Sequence, residues 1–333
     1  MLHWFRLLRI AGITTLVSNA LAMLASTGLD FIDIVKQAAQ SGTAFIWVAL
    51  VSCGVYACGM LWNDIADVSR DAEINPRRPL PSGQVALPTA FIAGCALIAL
   101  TLVCATQLGW RGFYMAGFLL TCALLYNFGG KHIPWLGSSI MALTRAGHAL
   151  FALLILGNEH FDLVLLQMSG AFSSGSSSGN IAGYAANQYP LFLGLYIFAI
   201  TLISELEHRR SYRWELLIGS GLLLSALALV IWQVATSVLL RDFIVERQAT
   251  QATLLIIAMI GGSIWAVGRL ASILVPAIVH ARRALIGVFM VRGLSGIILF
   301  DVLVVLAFLP LLALPMLLLL PIFKILGRMG RMD

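Results

Sequence analysis

The chain has 333 residues, 60% of them hydrophobic and only 11% charged, with a formal net charge of +6. A soluble domain is about 25% charged, so the composition argues against a soluble enzyme, a disordered chain or a secreted disulfide scaffold, and for an all-α polytopic membrane protein. The basic excess is no nucleic-acid patch, because it sits at the ends of apolar runs, where it carries topology.

A membrane span takes about 20 apolar residues. On that measure the chain gives spans near residues 10–28, 43–62, 88–107, 112–128, 136–156, 189–207, 214–235, 252–274 and 293–322. The first has the basic start and apolar core of a signal peptide. Its apolar run continues past Asn19 without a small-residue cleavage pattern, so it is read as a span. The last contains Pro310, Pro315 and Pro321 and reads either as one helix, giving nine spans, or as a helix plus a re-entrant piece. Residues 157–188 read as a long outer loop with a flexible Gly/Ser stretch at 173–179. The five cysteines, Cys53, Cys58, Cys95, Cys104 and Cys122, all lie in apolar runs, form no CxxC pair and read as small helix residues.

Charge alternates between the loops. Arg6, Arg9, Arg70, Arg77, Arg78, Lys131, His132 and the cluster at 208–213 fall on one side, with Arg282, Arg283 and Arg292. The opposite loops hold only Lys36, Arg111, Arg241 and Arg247. The positive-inside rule puts the first set, and the N-terminus, in the cytoplasm, as for a protein of a bacterial inner membrane. Nine spans would leave Lys324, Arg328 and Arg331 outside, against the rule.

The acids are the informative minority. Of 15 acidic residues, six fall in two short segments on the cytoplasmic side: Asp64, Asp67, Asp71 and Glu73 after the second span, and Glu205 and Glu207 at the end of the sixth. If the second helix continues through the first segment, Asn63, Asp67 and Asp71 recur every four residues on one face, flanked by Asp64. Carboxylates that close repel one another unless a cation joins them. Magnesium is the natural choice, because it prefers oxygen ligands and completes its shell with water and substrate phosphates. Prolines 76, 79 and 81 stiffen the next turn and fix Arg77 and Arg78 beside the acids, a setting suited to a metal-bridged polyanion. Arg145 sits inside a span and should face a cavity or a partner, with His148 one turn on; Asp301 is read as facing the acceptor pocket or pairing with Arg292 or Arg269. Asn127, beside Tyr126, is a candidate cavity residue.

Asn63-Asp64-x-x-Asp67-x-x-x-Asp71, followed by Asn75-Pro76-x-Arg78-Pro79-Leu80-Pro81-Ser82-Gly83, resembles the first signature of the UbiA superfamily of intramembrane prenyltransferases. The resemblance implies a nine-helix bundle around a central cavity. There Mg2+ holds a prenyl diphosphate between two aspartate-rich motifs, and a hydrophobic, usually aromatic, acceptor attacks the allylic cation. It implies that Asn63, Asp64, Asp67 and Asp71 bind metal and that Arg77, Arg78, Lys131, Arg145 and Arg209 contact the diphosphate. Tyr126 and Lys131 are similar to the family's Tyr/Lys element, and Thr14, Thr15, Ser18 and Asn19 stand where the opening helix faces the cavity. The second motif departs from the family. Ser204 and His208 occupy the four-apart positions usually held by Asp, and Glu205 and Glu207 supply the acids. At i and i+2 these point about 200° apart, so one of them faces the cavity unless the helix end unwinds. Three readings remain: the glutamates replace the aspartates, the site holds one metal, or the cavity is kept by a non-catalytic carrier of a lipid-soluble metabolite. Ser-Glu-Leu-Glu is similar to the EboC branch of UbiA-like proteins.

Overall fold

In a computed structural model, residues 2–133, 135–170, 181–205, 213–236, 249–280 and 283–329 are described. The elements are helices: α1 Leu2–Leu7, α2 Ile13–Ser26, α3 Phe31–Gln40, α4 Ala44–Ala66, α5 Val68–Ile74, α6 Leu87–Thr106, α7 Gly109–Phe128, α8 Leu136–Phe151 and α9 Asn158–Gly170. After these come α10 Ile181–Glu205, α11 Arg213–Thr236, α12 Ala249–His280, α13 Arg283–Phe308, α14 Pro310–Met316 and α15 Leu319–Met329, and no strand occurs among the described residues. Among the described residues, eight helices are long and apolar enough to cross a membrane, or nine if one bent pair counts as a span. The protein is an integral, multi-pass α-helical membrane protein.

The centre of the bundle is α2, which packs against α4, α8, α10 and α13. Ten of its fourteen residues are buried, among them the polar Thr14, Thr15, Ser18, Asn19 and Ser26. A helix covered on nearly every side must satisfy its hydroxyls internally. Thr14, Thr15 and Ser26 donate to the carbonyls of Ala11, Gly12 and Met23 at 2.7 Å. At about 1.5 Å per residue α2 is about 21 Å long, short of a hydrocarbon core of about 30 Å. The chain then bends by 106° into α3, which exposes Phe31, Ile32 and Val35 as an interfacial helix does.

Small residues let the helices approach. Gly94 of α6 lies under Trp62 of α4, where an added Cβ would come within 3.0 Å of the indole, and Trp62 packs edge-on against Phe91 with ring centroids 5.3 Å apart. Gly293 and Gly296 let α13 meet α10: the Tyr196 hydroxyl donates to the Gly293 carbonyl at 2.9 Å, and a Cβ on Gly296 would lie 2.4 Å from that hydroxyl.

Two segments differ from expectation. The loop placed at 157–188 is helical where it is described: α9 covers 158–170 and α10 begins at 181. Phe161 and Val164 are buried in the core, and Asp162 pairs with Arg111 of α7, so a short helix is anchored where the sequence read as loop. The Gly/Ser stretch lies outside the described residues. The last stretch is two segments, because α13 ends at Phe308 and the chain restarts at Pro310 after Leu309 leaves helical geometry (φ −131°). Proline lacks the N–H the helix would need to continue. Leu285–Leu306 and Pro310–Gly327 are each span-like.

Candidate functional site

The first acidic segment sits where α4 leaves the bundle. The helix breaks at Asp67 (φ −93°, ψ 3°) and resumes as α5. The four-residue hydrogen-bond ladder nevertheless runs through the break: Asp67 N donates to the Asn63 carbonyl (3.0 Å), Asp71 N to that of Asp67 (2.8 Å), and Asn75 N to that of Asp71 (2.8 Å). The expected single face of Asn63, Asp67 and Asp71 therefore survives the change of helix.

Each carboxylate on this stripe meets a different cation. Arg9 Nη2 lies 3.1 Å from Asp64, Lys131 Nζ lies 2.7 Å from Asp67, and Arg78 Nη1 lies 2.5 Å from Asp71. Lys131 also donates to Asn63 Oδ1 at 3.1 Å. Asp64 and Asp71 are buried, and the Lys131 and Asp67 side chains are only 11% and 15% exposed. The arginine side chains of the other two pairs are 45% and 37% exposed, so those pairs are weaker and readily exchanged. No group of three or more His, Cys, Asp or Glu converges as a preformed metal cage among the described residues. The donor set is nonetheless all oxygen, the kind magnesium prefers, and each carboxylate is paired with a cation.

Arg78 is positioned by the turn after α5. Arg78 N donates to the Asn75 carbonyl and Ser82 N to that of Arg78, while Gly83 closes the turn at a positive φ of 75°, a conformation that favours glycine. Leu80 and Val85 anchor the loop in a small cluster with Leu7, Leu61 and Ala90. Arg77 is exposed and makes no ion pair among the described residues. Arg9 was not singled out from the sequence as more than a topology signal. Its backbone is left-handed (φ 44°), and its carbonyl accepts the Tyr56 hydroxyl at 2.8 Å.

From the second segment, Glu205 reaches the same region. Its Oε1 accepts Ser138 Oγ of α8 at 2.8 Å, and a Cβ on Gly137 would touch both that oxygen and the Lys131 backbone. Glu205 and Asp67 both act electrostatically on the Tyr126 hydroxyl, so Tyr126 is near an acid of each motif. Glu207, His208 and Arg209 lie outside the described residues. Asn127 is tied to the wall, donating to the Gly59 carbonyl at 2.9 Å.

A second polar group lies deeper. Asp301 is fully buried and accepts hydrogen bonds from Ser18 (2.6 Å), Asn19 (2.8 Å) and Tyr189 (2.7 Å). The expected pairing with Arg269 or Arg292 does not occur; those arginines bond Ser295 and Ser272 instead. Arg145 donates to Thr15 at 3.1 Å, and His148 is buried with neither ring nitrogen hydrogen-bonded, so the two are not a hydrogen-bonded pair.

Comparison with known proteins gives the context. The family model described as UbiA prenyltransferase family matches residues 11–326. The chain is 31% identical over 160 residues to digeranylgeranylglyceryl phosphate synthase of Sulfolobus acidocaldarius, covering 47% of this chain and 46% of that protein. It is 32% identical over 135 residues to the bacteriochlorophyll synthase 34 kDa chain of Chloroflexus aurantiacus, covering 37% and 43%. The chain thus spans about half the length of the curated relatives it matches. Two solved structures share the fold. One, from work on digeranylgeranylglyceryl phosphate synthase in membranes, aligns with a TM-score of 0.53 at 19% identity over 92% of this chain and 98% of that one. The other, an apo UbiA homologue from Aeropyrum pernix K1, aligns with a TM-score of 0.50 at 16% identity over 88% and 96%.

Proposed function

The chain belongs to the UbiA prenyltransferase family, and from that premise we propose that it transfers a prenyl group from a prenyl diphosphate to a hydrophobic, aromatic acceptor within the membrane, with Mg2+ as cofactor. The observation that carries this reading is the stripe Asn63, Asp64, Asp67 and Asp71, with Arg9, Lys131 and Arg78 each within reach of one carboxylate.

Asn63, Asp64, Asp67 and Asp71 would hold magnesium, with Glu205 as the acid from the second motif. Bound there, the metal supplies positive charge to the leaving diphosphate. Lys131, Arg78 and Arg9 turn from the carboxylates to phosphate oxygens and stabilise the charge that develops as the C–O bond breaks. Tyr126, within electrostatic reach of an acid of each segment, is assigned the role of steadying the allylic cation with its aromatic ring. The apolar interior excludes water, which would otherwise capture the cation. The acceptor carbon attacks, forms the new C–C bond and then releases its proton. The charge pattern supports a bacterial inner-membrane protein with the N-terminus and both acidic segments in the cytoplasm.

Asp67→Ala tests the assignment. In purified protein it should abolish transfer of a radiolabelled prenyl group, and full retained transfer would refute the reading. A non-catalytic carrier is the second reading, favoured by Ser204 and Glu205 in place of the usual aspartate pattern. It predicts binding of prenyl diphosphate without turnover by the wild-type protein over a panel of acceptors.

A further inference from the structure

Two arginines stand near mid-span with no acid beside them. Arg269 lies at the centre of the Ile260–Val279 span of α12. Its Nη2 donates at 2.7 Å to Ser295 Oγ, at the centre of the Leu285–Leu306 span of α13. Arg292, one turn from Ser295, donates to Ser272 Oγ at 2.8 Å and to the Arg269 carbonyl at 3.3 Å. Both serines in turn donate to backbone carbonyls, those of Arg292 and Arg269. The two guanidinium groups act on each other electrostatically, and among the described residues neither forms an ion pair. Arginine does not shed its charge, and a cation at the centre of a bilayer is costly unless an opposite charge meets it. A second cation beside it adds repulsion. Together they call for an anion at that depth.

At this point α12 faces the outside of the bundle. Gly261, Ile264, Trp265, Gly268 and Ser272 recur at helical spacing on one face and are all exposed. Arg269 flanks that face, its guanidinium 5.8 Å from the centroid of the Trp265 ring. A Cβ added to Gly261 or Gly268 would meet nothing within 4 Å among the described residues. Gly268-x-x-x-Ser272 sets two small residues one turn apart, a spacing that lets the backbone of another helix approach closely.

Depth decides among occupants. Half of the 20-residue span is about 15 Å at 1.5 Å per residue, and the phosphate of a bilayer lipid would have to sink by about that distance to meet Arg269. A second copy of this chain offers no carboxylate. Asp301, its acid furthest inside a span, is fully buried and bound by Ser18, Asn19 and Tyr189. We propose that the α12–α13 seam docks a transmembrane helix of another protein, whose Asp or Glu at mid-span bridges Arg269 and Arg292 while Gly268 and Ser272 admit its backbone. A guanidinium holds a carboxylate through two parallel N–H···O bonds, and pairing of this kind is how charges inside a membrane are tolerated. The docking site is separate from the residues assigned to prenyl transfer.

The test uses the full chain in phosphatidylcholine vesicles and a synthetic transmembrane helix of leucine and alanine, about 20 residues long, with a central Glu and a nitroxide beside it. A nitroxide quenches only an indole close to it, and Trp265 supplies that indole. The Glu peptide should bind about 10-fold more tightly than its Gln counterpart, and Trp265→Phe should remove the quenching. Moving the Glu two turns toward one end of the peptide should reduce binding to the level of Gln. Arg269→Gln combined with Arg292→Gln should abolish the preference. Should that variant not fold, Gly268→Leu adds bulk where the face is open and should weaken the Glu peptide about 10-fold. Equal binding of the Glu and Gln peptides, binding of neither, quenching that survives Trp265→Phe, or unchanged affinity in Gly268→Leu would overturn the proposal. So would loss of the Glu preference when phosphatidylglycerol replaces part of the phosphatidylcholine, because lipid phosphate would then be the occupant.

Discussion

Lys131 and Asp67 form the most enclosed of the three ion pairs, and their behaviour should differ from that of the other two. Removing one partner of a buried pair leaves an uncompensated charge, at a cost of about 3–5 kcal/mol. Lys131→Met should therefore lower the thermal unfolding midpoint in detergent, and added Mg2+ should raise that midpoint by more in the variant than in the wild type, because the metal replaces the missing cation. An equal response to Mg2+ would show that Asp67 does not face the metal. The acidic residues of this site were legible because acids are scarce in an apolar chain and four oxygen-bearing side chains recur at helical spacing. Arg9 was not, because nothing in a sequence joins position 9 to position 64; its only signal was a basic residue at a span entrance, which topology explains equally well. Asn127, Asp301 and His148 show the same limit. Polarity within a span marks each as worth attention, but partners such as Gly59 O or Ser18 exist only once helices have packed.

At the scale of an element, the break at Asp67 matters because the hydrogen-bond ladder survives it. Inserting one alanine after Ala66 should rotate Asp67 and Asp71 by about 100° away from Asn63. Such a protein should keep its helical circular dichroism yet lose magnesium binding, measured by titration calorimetry. The crossing of α10 and α13 depends on an absent side chain. Gly296→Ala puts a methyl against the Tyr196 hydroxyl and should cost about 1–3 kcal/mol, seen as a lower midpoint that Tyr196→Phe partly restores. Most spans were readable from apolar run length alone. Their ends and interruptions were not, since hydropathy sums composition and is blind to hydrogen bonding. Leu309 and Pro310 divide a continuous apolar run, and α9 is held by Asp162 and Phe161 within a stretch that looked like loop.

For the whole molecule, membrane character followed from composition, and the bundle architecture from the resemblance carried by a short stretch of sequence. Sidedness is open to direct test. With the five native cysteines replaced by alanine, Ser82→Cys and Ser41→Cys should react with a membrane-impermeant maleimide from opposite faces of oriented vesicles; labelling from one face would overturn the charge-based topology. The three ion pairs of the site have a consequence for the order in which solutes arrive. Within them the charges cancel, so a diphosphate taken up alone draws cations away and leaves carboxylates facing one another, and a metal taken up alone leaves cations unmatched. Thermodynamic reciprocity then requires each solute to raise the other's affinity by the same factor. Couplings of this kind run to about 5- to 150-fold, and the protein should show one once the complex formed in free solution is subtracted. Under the proposed function, such a site would bind each solute more weakly by that same factor when the other is scarce.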